Sequence, residues 1–234
     1  MDNLQTLFNN LTELCNNNDK FGLFGTHRGA KYNNSHQRLL IIGRAVNGWG
    51  IDEHYLNDMS CTKNDGAKLF FEGNNTRYLL SKSSFWRTNH EIWKKLQNNG
   101  EILNTDRWVD YIAWSNLYKC APRSSGNPSN KLCSIQADIC KQYLLNEIEL
   151  LKPTHILFVT GWEGWFFSDK EIYDFSKLFP NVVEYKGNYV CGIGTYSLKG
   201  DDIPVIVSNR PDSRKKESKE SGYVNEVISH FSKK

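Results

Sequence analysis

Four short segments carry residue types suited to holding a flat, polar ring beside negative charge. They are Gly43-Arg44-Ala45-Val46-Asn47-Gly48-Trp49-Gly50, Phe70-Phe71-Glu72-Gly73, Ser115-Asn116-Leu117-Tyr118 and Ser208-Asn209-Arg210-Pro211-Asp212-Ser213-Arg214. The glycines let a ligand approach the backbone closely. Phe and Trp offer a flat face, and one Asn amide can read a donor–acceptor edge bidentately. Arg210, Arg214, Lys215 and Lys216 form a basic loop suited to phosphates. A nucleobase turned out of a nucleic-acid strand asks for this combination.

Each segment falls at a strand end or in the loop that follows. Apolar runs predict strands at Arg38–Gly43, Asp110–Ser115, His155–Thr160, Asn181–Tyr185, Asn188–Cys191 and Ile203–Ser208. Helical spacing predicts helices over 3–15, 84–98, Ser134–Leu151 and Glu220–Phe231. In the third of these, Ile135, Ile139, Leu144, Ile148 and Leu151 are expected to face inward. Residues 44–75, rich in Asn, Asp and Gly, read as a long loop of the kind that is usually functional. Strands alternating with helices predict an α/β fold, a three-layer α/β/α sandwich around a central, mainly parallel sheet. In such sheets ligands bind in the crevice at the carboxyl ends of the strands, where Asn116 is delivered by its strand.

The chain has 234 residues and no evident linker, which predicts a single domain over 1–234. A hydrophobic fraction of 39%, with 13% aromatics, is enough for a sizeable core. A net charge of +3 rules out a global polycation and leaves a local basic patch as the route to a phosphate partner. No run approaches the roughly 18 apolar residues of a membrane span, and the N-terminus lacks a signal peptide's basic and apolar regions. The expectation is a cytoplasmic monomer with no membrane partner. The six cysteines include no Cys-x-x-Cys pair and read as free thiols.

Taken in order, these segments resemble the uracil-DNA glycosylase superfamily, and most closely the branch that carries an iron–sulfur cluster. The likeness rests on Ser115-Asn116, Lys119-Cys120-Ala121-Pro122, Gly126-Asn127-Pro128, Cys140, Leu144-Leu145 and Ile148-Glu149-Leu150-Leu151-Lys152-Pro153. The resemblance implies a uracil-DNA glycosylase-like fold and a DNA-repair hydrolase that flips uracil, or a related deaminated base, and breaks its N-glycosidic bond. It implies that Asn116 reads the base edge, that Phe71 stacks on the base, and that Gly43, Arg44 and Ala45 line the pocket. It places Arg210 beside the departing base and Arg214, Lys215 and Lys216 against DNA.

The chain departs from the family pattern at three places. Arg44 and Ala45 stand where an acidic residue or Asn normally holds the attacking water; Asn47, Asp52 and Asp65 in the same loop are the candidates to substitute, and none matches the family's position. Arg210 replaces a histidine; a guanidinium can stabilise an anion but does not exchange a proton. Cys120 and Cys140 lack the partner Cys-x-x-Cys pair, and four thiolates are the usual requirement, so no cluster, metal or other cofactor is expected. A catalytically silent base- or DNA-binding member is the alternative. So is a small-molecule module on the same sheet. Structural readings compete residue by residue: Asn116 as a strand-end cap, one of Phe70 and Phe71 as core, the glycines as turn residues, and the basic loop as a solvated run.

Overall fold

The computed structural model describes residues 4–16, 21–45, 80, 83–97, 107–122, 126–162, 175–211 and 217–232. Helix α1 (Leu4–Asn16) is followed by strands β1 (Phe21–Leu23), β2 (His27–Arg28) and β3 (Leu39–Gly43). Then come α2 (Ser84–Gln97), β4 (Ala113–Asn116), β5 (Cys120–Pro122), α3 (Asn130–Leu151) and β6 (His155–Val159). The described chain ends with α4 (Phe175–Leu178), β7 (Val182–Glu184), β8 (Val190–Leu198), β9 (Asp201–Ser208) and α5 (Glu217–Phe231).

The main sheet has the spatial order β2-β4-β3-β6-β9-β8-β7. Its centre, β4-β3-β6-β9, is parallel. Both edges are antiparallel, through β2 on β4 and through β8 and β7 beyond β9. The sheet is therefore mixed, with the parallel part confined to β4, β3, β6 and β9. Continuous apolar runs form there because both faces are covered: every residue of Leu39–Gly43 is buried.

One face packs Leu39, Ile41, Leu157, Val159 and Ile206 against Trp86, Ile92 and Trp93 of α2 and Tyr223, Val224 and Val227 of α5. The other packs Leu40, Ile42, Ile156, Phe158 and Val207 against Ala137, Leu144 and Ile148 of α3, with Leu178 and Phe179 from the segment after β6. The alternation follows from the two-residue period of a strand. Helix α1 lies outside α3, where Leu7 and Leu11 meet Leu132, Cys140 and Tyr143.

Helix α3 starts earlier than its apolar spacing predicts, because Ser129 accepts a hydrogen bond from Leu132 N at 3.2 Å and caps the new N-terminus. It ends at Lys152, which takes a left-handed conformation before Pro153. Ile135 does not face inward as expected. It is 52% exposed, and Gln136 and Ala137 turn toward the core in its place.

Candidate functional site

Each of the four parallel strands ends at the same edge. Asn116 closes β4, Gly43-Arg44-Ala45 closes β3, Thr160-Gly161 follows β6 and Asn209-Arg210 follows β9. Helix α2, after β3, covers one face, whereas the segment after β6 packs on the other. The gap between β3 and β6 is thus the topological switch point, the place where open α/β sheets bind ligands.

Asn116 and Gly43 are register partners across β4 and β3. The Asn116 carboxamide lies so close over Gly43 that a Cβ there would collide with Oδ1. Asn116 is 2% exposed, and its Nδ2 makes no hydrogen bond. A strand-end cap would spend the amide on neighbouring backbone, and this amide donor is unspent. The backbone around it is fully engaged elsewhere: Leu117 N donates to Gly43 O at 2.9 Å and Tyr118 N to Arg44 O at 2.9 Å.

Beneath Asn116 lies a buried ionic group. Lys119 Nζ donates to both carboxylate oxygens of Glu147, at 2.9 and 2.8 Å, and to Ser115 Oγ at 2.6 Å. Ser115 Oγ in turn donates to Glu147 Oε2 at 2.8 Å. Lys119 and Glu147 are both fully buried. Burial pushes the Glu147 carboxyl up, and the Lys119 ammonium and the Ser115 hydroxyl pull it back. The ammonium also lies 5.0 Å from the centre of the Tyr143 ring. These bonds fix the residue preceding Asn116 to α3.

Arg44 crosses the switch point. Its Nε donates to Thr160 O, at the end of β6, at 2.7 Å. Its Nη2 reaches Gly161, which has a positive φ of 83° and no side chain to block it; a Cβ there would stand 3.3 Å from Nη2 and 3.7 Å from Asn209 Oδ1. Burial and the nearby Arg210 guanidinium hold Arg44 below the usual arginine range. Arg210 itself is exposed, at the end of β9. Ala45 is half-buried and packs with the α3-side core.

The edge therefore brings together Gly43, Arg44, Ala45, Asn116 and Arg210. Asn47, Asp52, Asp65, Phe71, Arg214, Lys215 and Lys216 lie outside the described residues. Trp162 packs its indole onto Gly192 of β8, a structural contact.

Sequence reasoning gave no site role to Thr160, Gly161, Lys119 or Glu147, and named Asn209 only as part of a candidate segment. Thr160-Gly161 had a signal, a glycine directly after an apolar strand. Glu147 had one too: it sits at inward helical spacing with Leu144 and Leu151, where an unpaired charge would be costly.

The donors present do not suit the cluster carried by the resembled branch. The Gln136 amide lies between Cys120 and Cys140, accepting from Cys120 N at 2.8 Å and from Cys140 Sγ at 3.2 Å and donating to Cys120 O at 2.9 Å. Burial pushes the Cys140 thiol up to about 12, away from the thiolate that binds iron. Among the described residues no group of three or more potential metal ligands comes together. Also among them, no helix is long and apolar enough to cross a membrane.

No protein-family model matches the chain, and no curated protein matches it.

Proposed function

We propose that this chain is a uracil-DNA glycosylase-like protein that takes a flipped uracil, or a related deaminated base of DNA, into the crevice at the carboxyl ends of β4, β3, β6 and β9 and hydrolyses its N-glycosidic bond. The observation that carries this reading is the buried, unpartnered Asn116 Nδ2 over the glycine floor of that crevice. An unsatisfied buried donor costs about 1–3 kcal/mol. A ligand carbonyl removes that cost, and a deaminated base presents a carbonyl where its parent presents an amino group. In this reading Phe71 stacks on the base, Asn47 or Asp52 holds the attacking water, and Arg214, Lys215 and Lys216 contact the strand.

The test is a labelled oligonucleotide with one uracil, single-stranded and then paired with guanine, incubated with excess protein and treated with hot alkali. A strand break that vanishes in Asn116→Ala supports the hydrolase. The absence of both a strand break and a gel shift sinks the reading.

A second reading, base binding without hydrolysis, is favoured by Arg44. It stands where the resembled family holds its water, and its guanidinium, tied to Thr160 O, is no general base. A gel shift without a strand break, lost in Asn116→Ala, would select it.

A further inference from the structure

We infer that Arg44 and Arg210 clamp a phosphoryl group carried by the same ligand whose base Asn116 reads, so that the crevice takes a nucleotide, free or within a strand, rather than a bare base. The inference rests on the base-reading role proposed for Asn116, and it moves Arg210 from the departing base to the phosphate.

Placement is the first argument. Asn116 ends β4, whereas the Arg44 guanidinium is anchored at the end of β6, on Thr160 O, with Nη2 over Gly161 and beside Asn209. Strand β3 lies between β4 and β6. The Asn116 carboxamide leans over Gly43 at the end of β3, and neighbouring strands are about 4.8 Å apart, so the amide and the Arg44 anchor on β6 stand about one strand spacing from each other. A ligand whose base edge meets Asn116 therefore carries its substituent past the Arg44 guanidinium, where a phosphoryl group finds its Nη donors.

Charge is the second. The Arg44 guanidinium rests on the end of β6 and Arg210 follows the neighbouring β9; burial and, after it, the Arg210 charge weaken the hold of Arg44 on its proton. The ion pairs among the described residues involve neither of them. The one side-chain bond described for Arg44 goes to a neutral carbonyl through Nε, leaving its two Nη groups as donors. Planar forks of this kind match phosphate oxygens bidentately. Two cations side by side, one of them half-buried, are disfavoured until an anion joins them.

Affinities of the full-length protein measured by calorimetry at low salt test the clamp. The probes are uracil, deoxyuridine, deoxyuridine 5′- and 3′-monophosphate, inorganic phosphate and an oligonucleotide containing one uracil. One of the monophosphates is expected to bind at least tenfold more tightly than deoxyuridine. That advantage of monophosphate over deoxyuridine should shrink as salt rises and disappear in Arg44→Met and in Arg210→Met, each measured against deoxyuridine on the same variant. Arg210 is exposed, so its variant keeps the test open if Arg44→Met does not fold. Equal affinity for deoxyuridine and both monophosphates, or an advantage that survives both variants, overturns the clamp and leaves the base reading standing. Phosphate-dependent binding that ignores both the base and Asn116→Ala sinks the base reading, and with it the shared ligand. An oligonucleotide that outcompetes the mononucleotides, with the same loss in both variants, identifies the phosphate as that of a strand; equal affinity identifies a free nucleotide.

Discussion

Gly43 and Asn116 stand opposite one another at the ends of two parallel strands, and the Asn116 carboxamide fills the space that any side chain at position 43 would need. The glycine is thus required by the amide above it. The same contact leaves Nδ2 buried and unpartnered at the edge where ligands enter such sheets.

Gly43→Ala should therefore displace the amide. The expected cost is about 1–3 kcal/mol, the range for overpacking a filled site. Removing the obstructing group should relieve it, so Gly43→Ala/Asn116→Ala should be less destabilised than the sum of the single variants. Urea denaturation of the four members of this cycle gives the coupling directly. Additive effects would mean that the two side chains do not compete for one space.

Asn116→Ala should behave unlike most buried-polar deletions. A satisfied buried amide takes its partners' hydrogen bonds with it when removed. Here Nδ2 has no partner to orphan. The loss of an unsatisfied donor offsets much of the small cavity that remains, so stability should change by less than about 1 kcal/mol. Base binding should fall at least tenfold. A loss of several kcal/mol in the ligand-free protein would show that the amide serves the fold.

How far the sequence revealed this arrangement depends on which strands are considered. The four central strands were legible because a two-sided burial demands an unbroken apolar run, as in Leu39-Leu40-Ile41-Ile42. Their ends, and hence Gly43, Arg44, Asn116 and Arg210, followed directly. The edges were legible only in part: β7 and the start of β8 fall in predicted strands, whereas β2 and most of β8 do not. Strand β8, with Gly192, Gly194, Thr195 and Ser197, has little apolar pattern and is held by its long antiparallel register with β9. The turn between them did carry a signal: Lys199 and Gly200 both take positive φ, at 54° and 97°, as a two-residue hairpin turn requires. Helix α3 misled through polarity. Gln136 and Glu147 are fully buried because Cys120, Ser115 and Lys119 satisfy them, so the apolar face alone pointed Ile135 inward. No spacing rule in α3 foretells that its buried carboxylate meets a lysine that follows β4.

That pair gives a prediction with opposite signs for one and two substitutions. Lys119→Met leaves the Glu147 carboxylate buried without its cation and should cost about 3–5 kcal/mol. Lys119→Met/Glu147→Leu replaces both charges with apolar groups of similar size and should be close to neutral, or stabilising by about 1–4 kcal/mol. Chemical denaturation decides it. If the double variant is as unstable as the single one, the network stabilises the fold through Ser115 and the backbone beyond the charge pair itself.

Stability should also fall in mild acid, and His155 sets much of the slope. It opens β6, half-buried, with Nδ1 3.0 Å from Thr154 Oγ1 and its ring edge-on to Phe231 at 4.9 Å. Burial lowers its pKa from 6.5 to about 4. Between those values the unfolded chain binds a proton that the folded chain does not, so protons favour unfolding and stability declines as pH falls from 6.5 toward 4. His27 and His90 are also lowered by burial and act with the same sign. The His155 contribution has an upper bound of about 3 kcal/mol across the window. Urea midpoints at pH 7.5, 6.5, 5.8 and 5.0 stay above the range where most carboxylates titrate and isolate the histidines. His155→Gln should flatten the profile over that range while lowering stability at pH 7.5. An unchanged slope in His155→Gln would shift the acid sensitivity to His27 and His90.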